Sequence, residues 1–277
     1  MNNLNFLITN DDGIYAEGLN CVIEALKDNA NLYIVAPNGN RSCTAHSMSF
    51  HKKIFYEKIE ENRYSIDAFP VDCVFVGTKG LFQDKKIDLI VSGMNHGANL
   101  GTDIFYSGTV SAAFRGAEDG IDSIAFSSCR NTPPFSSLNT KELIRDITFN
   151  FIKNKEIIRK RAIEFATKNI PYIKDISPKH VSIVLNVNIP DFEKQTENIV
   201  VPSILSSRLY LDEVVFDQEK GINEKGYFEI VGKLANSVSL PITDLNTINS
   251  GKISISPFFY FLPGMILLIP SAIESIS

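Results

Sequence analysis

Short apolar runs alternate with amphipathic segments along the first half of the chain. Residues 6–9 and 87–91 are short runs rich in Ile and Leu, and such runs are typical of buried strands. Residues 19–27 and 109–118 repeat apolar positions every three or four residues, which predicts helices. The other predicted elements of this half are strands at 32–36, 54–59, 64–69 and 123–127 and a helix at 71–82. This alternation predicts an α/β fold whose mostly parallel sheet is covered by helices on both faces.

The second half of the chain has longer and more charged segments. Its predicted elements are a helix at 141–168, strands at 180–189 and 252–256, and a protruding hairpin at 207–231. Gly221 and Asn223 are expected near the tip of the hairpin. No linker is visible, so residues 1–130 are expected to form the core with the active site. Residues 131–277 are expected to continue the same structural domain and to add the hairpin.

The overall composition narrows the range of functions. The chain has 277 residues, of which 44% are hydrophobic, and a formal net charge of −5. Broad binding to nucleic acid or to an anionic membrane needs a basic surface, so neither is expected as a partner. Residues 258–269 are strongly apolar but shorter than the roughly 20 residues that cross a bilayer. They predict a buried or subunit-facing tail.

Cysteine usage and the N-terminal residues predict a cytoplasmic protein. The four cysteines are scattered and form no C-x-x-C pair, which excludes the common zinc spacings and does not resemble a disulfide framework. The first residues lack the basic region, long apolar core and cleavage site of a signal peptide.

The sequence NDDG, residues 10–13, places two adjacent carboxylates after the first predicted strand. Asn, Asp and Gly are common turn formers, and these four residues alone favour a simple turn. The other interpretation is a cation site, because a divalent ion would neutralise Asp11 and Asp12 and relieve their mutual repulsion. Carboxylate oxygens of this kind suit Mg²⁺ or Mn²⁺.

Two further polar loops, at residues 37–49 and 92–109, also follow predicted strands. The carboxyl ends of parallel strands lie at one edge of a sheet, so these loops are expected to converge with residues 10–18. The loop at 37–49 offers the hydroxyl of Ser42 to a metal and the charge of Arg41 to an anion. Taken alone this signal is weak, because a serine in a polar loop is usually only solvated.

The loop at residues 92–109 has the more informative pattern. Its glycines alternate with Asn95, Asn99 and Asp103, which lets the backbone approach a ligand while side-chain oxygens point toward it. His96 is compatible with a substrate contact and with a supporting role, and both stay open.

The end of this loop predicts an anion site. Ser107, Gly108 and Thr109 begin a predicted helix whose free N–H groups and dipole favour an anion, phosphate above all. No Gly-Lys-Ser/Thr follows, so this is not a Walker loop. The alternative is a long structural loop that ends in a helix cap.

Several segments of the chain resemble the SurE family of stationary-phase survival nucleotidases. In chain order they are ITNDDGIYAEGL, VAPNGNRSC, VSGMNHGANLGTDIFYSGTVSAAFRGA, NVNIP and TDLNTINSGKISISP. The resemblance implies a Rossmann-like domain and a C-terminal hairpin that joins subunits into a homodimer or homotetramer. It also implies a divalent-metal-dependent phosphomonoesterase that hydrolyses nucleoside 5′-monophosphates, or 3′-monophosphates, to nucleoside and phosphate.

The resemblance also assigns site residues, motif by motif. The implied ligands of one Mg²⁺ or Mn²⁺ ion per subunit are Asp11, Asp12, Ser42 and Asn95. The two aspartates would also be catalytic, and attack by an aspartate and attack by water both stay open. The implied phosphate and substrate residues are Asn99, Ser107, Gly108 and Thr109. Cys43 and the segment AFPVDCV depart from the usual family pattern.

Three other functions fit parts of the pattern. A nucleotide-dependent transferase or oxidoreductase would use a similar sheet, but the first strand here ends in NDDG and not in G-x-G-x-x-G. A haloacid-dehalogenase-type phosphatase requires D-x-D, whereas Asp11 and Asp12 are adjacent. A metal- or nucleotide-binding sensor would use the same loops without turnover, and only an assay of turnover separates it from an enzyme.

Overall fold

The computed structural model describes residues 4–129, 138–170, 173–174, 176–191, 199–216, 226–238, 240–261 and 265–273. Within these ranges, ten strands form one central sheet and two strands form a separate ribbon. The sheet contains β1 (Asn5–Thr9), β2 (Asn31–Pro37), β3 (Tyr56–Glu60), β4 (Arg63–Ile66), β5 (Leu89–His96), β6 (Ser123–Ser128), β7 (Val181–Ile189), β8 (Val200–Pro202), β11 (Ile253–Phe261) and β12 (Met265–Leu268). The ribbon contains β9 (Ser207–Phe216) and β10 (Phe228–Val238).

Five α-helices connect these strands. They are α1 (Glu17–Leu26), α2 (Pro70–Val76), α3 (Gly108–Glu118), α4 (Leu138–Asn169) and α5 (Asp244–Asn249). Shorter helical turns are a π-helical turn at Gly77–Leu81 and 3₁₀ turns at Gly101–Phe105, Pro178–His180 and Pro270–Ile273.

The sheet order is β12-β11-β7-β6-β5-β1-β2-β4-β3, with β8 paired to β11. The pairs β4–β2, β2–β1, β1–β5, β5–β6 and β6–β7 are all parallel, which confirms the predicted mostly parallel sheet. The chain builds outward from β1 in one direction through β2 and in the other through β5. Ligands bind at such a switch in strand order, beyond the carboxyl ends of the strands.

Helices cover both faces of the sheet, as predicted. Along β1, Phe6 and Ile8 belong to a core cluster with α1 and α4, whereas Leu7 belongs to a second cluster with α2. Successive side chains of a strand point to opposite faces, so α1 and α4 lie on one face and α2 on the other. On the same face as α2, α3 packs against Ala125 and Val184 of the central strands. A parallel sheet is stable only when both faces are covered in this way.

Several predicted boundaries differ from the structure; the hairpin, for example, continues from residue 231 to Val238. Residues 92–96 lie in β5 and not in a loop, because Ser92, Asn95 and His96 pair with β6, with a register shift between Ser92 and Asn95. The expected helix at 71–82 is the α-helix Pro70–Val76 followed by the π-helical turn. The last strand continues from residue 256 to Phe261, because its apolar residues run on into the core.

The apolar segment at residues 258–269 lies in β11 and β12, except for residues 262–264, which are outside the described residues. Phe258, Phe259 and Phe261 are buried, whereas Ile266 in β12 is 48% exposed. The prediction of a buried segment is therefore confirmed for the β11 part, which belongs to the sheet and is not a separate tail. In the described part of the chain, no helix has both the length and the hydrophobicity of a membrane span.

The predicted hairpin is the antiparallel pair β9–β10, which forms a sheet of its own. Its expected tip, with Gly221 and Asn223, lies outside the described residues. The central sheet itself crosses residue 130, since β6 pairs with β7. The proposed division of the chain at residue 130 stays a prediction.

Candidate active site

The three polar loops converge beyond the carboxyl ends of β1, β2 and β5, as the sequence predicts. The backbone N–H of Arg41 donates to the carbonyl oxygen of Asp11 at 2.7 Å. The backbone N–H of His96 donates to Oδ2 of Asp12 at 3.2 Å. The NDDG segment therefore lies between the other two loops, at the switch in strand order.

The NDDG segment is a turn, but the two aspartates do not form it. Nδ2 of Asn10 donates to the Gly13 carbonyl at 3.0 Å, and the Gly13 N–H donates back to Oδ1 of Asn10 at 3.2 Å. Gly13 has φ +111°, a conformation that L side chains rarely adopt. The first and last residues hold the turn, so both carboxylates project from it. The segment can therefore be both a turn and part of a cation site.

Asp11 is buried against the start of α3. It is only 3% exposed, and the Thr109 hydroxyl donates to its Oδ1 atom at 2.5 Å. A Cβ atom added to Gly108 would lie 3.1 Å from Asp11 Oδ2, so the helix backbone and the carboxylate are in close contact. A negative charge at the N-terminus of a helix is favourable. The structure therefore holds this carboxylate in one orientation.

Burial makes the charge on Asp11 costly. Burial is the largest cause that raises the pKa of Asp11 to about 6; the Thr109 hydrogen bond opposes this increase, and the charge of Asp12 contributes to it. Burial also raises the pKa of Asp12, while nearby His96 opposes that change. Two adjacent carboxylates whose pKa values are both raised by burial, with the charge of Asp12 raising the pKa of Asp11 as well, are a favourable place for a cation.

Asp12 is less buried than Asp11 and is held by weak contacts. Its Oδ1 atom lies 3.5 Å from Nδ2 of Asn40, and its Oδ2 atom accepts from the His96 backbone. Oδ1 of Asn40 in turn accepts from the Ser42 N–H at 2.8 Å. Asn40 thus connects Asp12 to Ser42, a role that its place in an ordinary polar loop did not indicate.

The other two predicted metal ligands flank these carboxylates in different ways. Asn95 lies near the end of β5, and its Nδ2 atom donates to the Gly97 carbonyl at 2.8 Å, which leaves Oδ1 as the oxygen available to a cation. Ser42 is exposed in the second loop. Their roles as ligands stay predictions.

The donor atoms of the site fit a hard divalent cation. In the described part of the chain, no group of three or more His, Cys, Asp and Glu residues is arranged to hold a metal ion. A site here would instead combine the carboxylates of Asp11 and Asp12 with neutral oxygens. Such an all-oxygen set suits Mg²⁺ or Mn²⁺ and not zinc.

Arg41 is paired with a carboxylate in the structure. Its guanidinium donates to Asp67 Oδ1 at 2.7 Å and to Asn38 Oδ1 at 2.9 Å. Asp67 partly neutralises its charge, and the expectation that this charge is available to an anion stays a prediction.

The segment between β5 and α3 is held by contacts to the rest of the fold. Asn99 is buried, and its Nδ2 atom donates to Ser127 Oγ at 2.8 Å. Asp103 was expected to point at a ligand, but Arg208 and the Tyr210 hydroxyl bind its carboxylate, the latter at 2.9 Å. Asp103 therefore connects this segment to the ribbon. The substrate role of Asn99 stays a prediction.

Ser107 caps α3. Its Oγ atom accepts from the Val110 N–H at 3.1 Å. The structure therefore has the helix cap that the alternative interpretation of this loop predicted. The cap places the first turn of α3 beside Asp11, which is also what a phosphate site needs. The phosphate roles of Ser107, Gly108 and Thr109 stay predictions.

Asp72 is a supporting residue that the sequence did not assign. Its Oδ2 atom accepts from the Phe69 N–H at 3.1 Å at the start of α2, and its Oδ1 atom accepts from the Ser49 N–H at 2.9 Å. The Pro-x-Asp spacing after Phe69 is a capping signal that sequence reasoning can detect. Asp72 thereby ties the second polar loop to α2.

Known proteins match this chain over most of its length. Residues 6–210 match the family described as survival protein SurE. A protein of Caldanaerobacter subterraneus subsp. tengcongensis named 5′-nucleotidase SurE is 34% identical over 271 residues, which is 95% of this chain and 94% of that protein. One of the same name from Leptospira interrogans is 35% identical, over 92% of this chain and 91% of that protein.

A solved structure gives the same assignment. The crystal structure of the SurE protein from Aquifex aeolicus has a TM-score of 0.66 and 29% sequence identity, and the match covers 91% of this chain and 92% of that chain. The α/β fold, the convergent loops and the matched sequence agree, and the chain belongs to the SurE family.

Proposed function

We propose that this protein is a phosphomonoesterase that removes the phosphate group from nucleoside 5′-monophosphates. The observation that carries the proposal is the buried carboxylate of Asp11 against the start of α3, with Asp12 beside it. This arrangement offers a place for a cation and a place for an anion side by side. The relatives named 5′-nucleotidase support a nucleotide as the substrate.

One divalent ion, Mg²⁺ or Mn²⁺, belongs to the proposal as cofactor. Asp11 and Asp12 would hold it, with Asn95 and Ser42 as further ligands. When bound, such an ion supplies Lewis-acid polarisation of a phosphoryl oxygen.

The residues of the chain bind and orient the substrate. The first turn of α3 presents N–H groups and the positive end of the helix dipole to the negative charge of the phosphoryl group. Ser107, Gly108 and Thr109 are the residues of this turn, and Asn99 lies in the segment that leads to it. The Thr109 hydroxyl keeps Asp11 oriented throughout. Phosphate monoesters hydrolyse very slowly without a catalyst, so this electrostatic stabilisation acts on a high barrier.

The deciding experiment measures phosphate release from a panel of nucleoside 5′- and 3′-monophosphates. Protein stripped of metal by a chelator is expected to release no phosphate, and Mg²⁺ or Mn²⁺ is expected to restore release, because the two carboxylates need a counter-charge. Full activity in excess chelator, with no metal found by elemental analysis, would contradict the proposed site. Saturable nucleotide binding without phosphate release would favour the sensor.

A homodimer or homotetramer is also part of the proposal. It is supported by the ribbon β9–β10, whose apolar side chains are largely exposed in the single chain. A cytoplasmic location is proposed as well, and its support is that all four cysteines are free thiols.

A further inference from the structure

The backbone of Asn99 is bound on both sides by side chains of β7. Oδ1 of Asn188 accepts from the Asn99 N–H at 2.8 Å, and Nδ2 of Asn188 donates to the Asn99 carbonyl at 3.0 Å. Nδ2 of Asn186 donates to the same carbonyl at 2.8 Å. The side-chain amide of Asn188 thus hydrogen-bonds both the N–H and the carbonyl of Asn99, as the backbone of a neighbouring strand would do.

These amides are inaccessible to solvent. Asn186 and Asn188 are both 0% exposed, and Asn99 is 6% exposed. A buried polar group is costly unless it is hydrogen-bonded, so water cannot replace either amide at low cost. The position of Asn99 therefore depends on these two side chains.

The same segment is fixed at two further points. The Gly97 N–H donates to the Ser128 carbonyl at 3.0 Å, and the Gly101 N–H donates to Oδ2 of Asp244 at 2.6 Å. Gly101 has φ +54°, and a Cβ atom there would lie 2.4 Å from the Ser206 carbonyl oxygen. The 3₁₀ turn that begins at Gly101 leads to Ser107, the cap of α3. The backbone of residues 97–101 thus sets where the first turn of α3 lies.

We infer that Asn186 and Asn188 are positioning residues, which hold residues 97–101 so that the first turn of α3 is placed to receive phosphate. This inference rests on the proposed function. It predicts that phosphate binding depends on the two amides more than metal binding does, because neither amide has a hydrogen bond to Asp11 or Asp12 among the described residues. The segment contacts the proposed metal site through Asn95, whose Nδ2 atom donates to the Gly97 carbonyl.

The neighbouring strand provides matched controls. In the pairing of β7 with β11, Ser256 lies opposite Asn186 and Ser254 lies opposite Asn188. Both serines are 0% exposed, and their hydroxyls have no hydrogen-bond partner among the described residues. Ser256→Ala therefore changes a buried polar residue of the same row without removing a hydrogen bond to the segment at 97–101.

The test compares Asn188→Asp and Ser256→Ala in the metal-loaded protein. Aspartate at 188 still accepts from the Asn99 N–H, but it places a carboxylate oxygen against the Asn99 carbonyl where a donor was. We expect kcat/KM for a nucleoside 5′-monophosphate to fall about 100-fold, the scale of a displacement of about 1 Å at a reacting centre. The inhibition constant of inorganic phosphate is expected to rise at least about tenfold, because the first turn of α3 would no longer be placed to bind phosphate.

Two readouts separate positioning from loss of stability. The affinity for Mn²⁺, measured by calorimetry, is expected to fall by no more than about threefold, because Asp11 and Asp12 follow a different strand and Asn95 is the proposed ligand that contacts the segment. Kinetics are measured well below the melting temperature of each variant, so that all of the protein is folded. Ser256→Ala is expected to keep both the phosphate inhibition constant and kcat/KM.

Each result decides the inference. A folded Asn188→Asp protein with wild-type phosphate inhibition overturns it, and so does an equal loss of Mn²⁺ affinity and phosphate affinity. If Asn188→Asp does not fold, Asn186→Ala, which removes one of two donors to the same carbonyl, decides by the same criteria. Asp12→Asn is measured in parallel. Undiminished turnover in Asp12→Asn refutes the proposed function, whereas the phosphate inhibition constant, compared with the Mn²⁺ affinity, judges the positioning role.

Discussion

Asp12 is the residue whose charge separates a metal site from a simple turn. Asn10 and Gly13 hold the turn by themselves, so Asp12→Asn should leave the backbone unchanged. We expect turnover to fall at least about 100-fold, the scale of a lost electrostatic contact to the transition state. The melting temperature without metal should stay the same or rise, because the repulsion of Asp11 is removed. Steady-state kinetics and thermal melting check both expectations.

The matched control for this change is Asp28→Asn. Asp28 is an exposed aspartate after α1, so the same chemical change there should alter neither turnover nor metal affinity. An Asp12→Asn protein that melts normally and turns over like the Asp28→Asn control would show that the carboxylate of Asp12 holds no cation.

Sequence reasoning located Asp11 and Asp12, but it did not identify the partners of Arg41 and Asp103 in the neighbouring loops. The composition of NDDG is enough to predict a turn and a possible cation site, because both depend on local residue types. The contacts of Arg41 with Asp67 and of Asp103 with Arg208 join residues that are distant in sequence. Pattern and propensity contain no information about such pairs, so the sequence could not show that Asp103 binds Arg208 or that Arg41 pairs with Asp67.

At the scale of elements, the 3₁₀ turn Gly101–Phe105 joins the ribbon to the start of α3. Arg208 on β9 binds Asp103 in this turn, and the Arg208 carbonyl accepts from Thr102 Oγ1 at 3.2 Å. Arg208→Met should lower the free energy of unfolding by about 1 to 3 kcal/mol, the usual range for a hydrogen bond to a charged group. Activity should also fall, because this turn leads to Ser107. Chemical denaturation and kinetics measure the two effects.

Glu213→Gln is the control for the ribbon, since Glu213 is an exposed residue further along the same strand. It should change neither stability nor activity measurably. If Arg208→Met lowers stability but leaves kcat/KM at the wild-type value, the ribbon supports the fold without affecting the site.

Element boundaries show what local pattern can and cannot predict. The apolar run of residues 87–91 predicts the centre of β5, but the strand continues through the glycine and asparagine at 93 and 95. Gly and Asn disfavour strands, and the pairing of Asn95 with Ser127 overrides that preference. The parallel core was predictable because its strands are uniformly apolar, a signal that needs no tertiary context.

At the scale of the whole molecule, the exposed apolar face of the ribbon indicates that the protein forms oligomers. Val214 pairs with Ile230, and Phe216 pairs with Phe228, so these four side chains share one face. Ile230 is 72% exposed and Phe228 is 58% exposed in the single chain. A two-stranded ribbon cannot bury such a face by itself, and exposed apolar patches of this kind mark association sites.

We therefore expect a dimer or tetramer at micromolar concentration, measured by light scattering. Replacing both Phe228 and Ile230 with Glu should lower the mass toward that of the monomer, because charges would be buried at the contact. Glu229→Gln, on the same strand but the opposite face, should leave the mass unchanged. A monomeric wild-type protein would contradict the assembly.

The pairing of β11 with β7 also determines the order in which the sheet can form during synthesis. β11 pairs with β7, yet residues 190–252 separate these two strands along the sequence. During synthesis, the outer edge of β7 therefore leaves the ribosome long before its partner exists. An unpaired strand edge rich in Val, Ile and Leu invites pairing with other nascent chains. Asn186 and Asn188 contact the segment at 97–101 from this same strand, so the proposed phosphate site depends on the strand that stays exposed to aggregation until β11 is made.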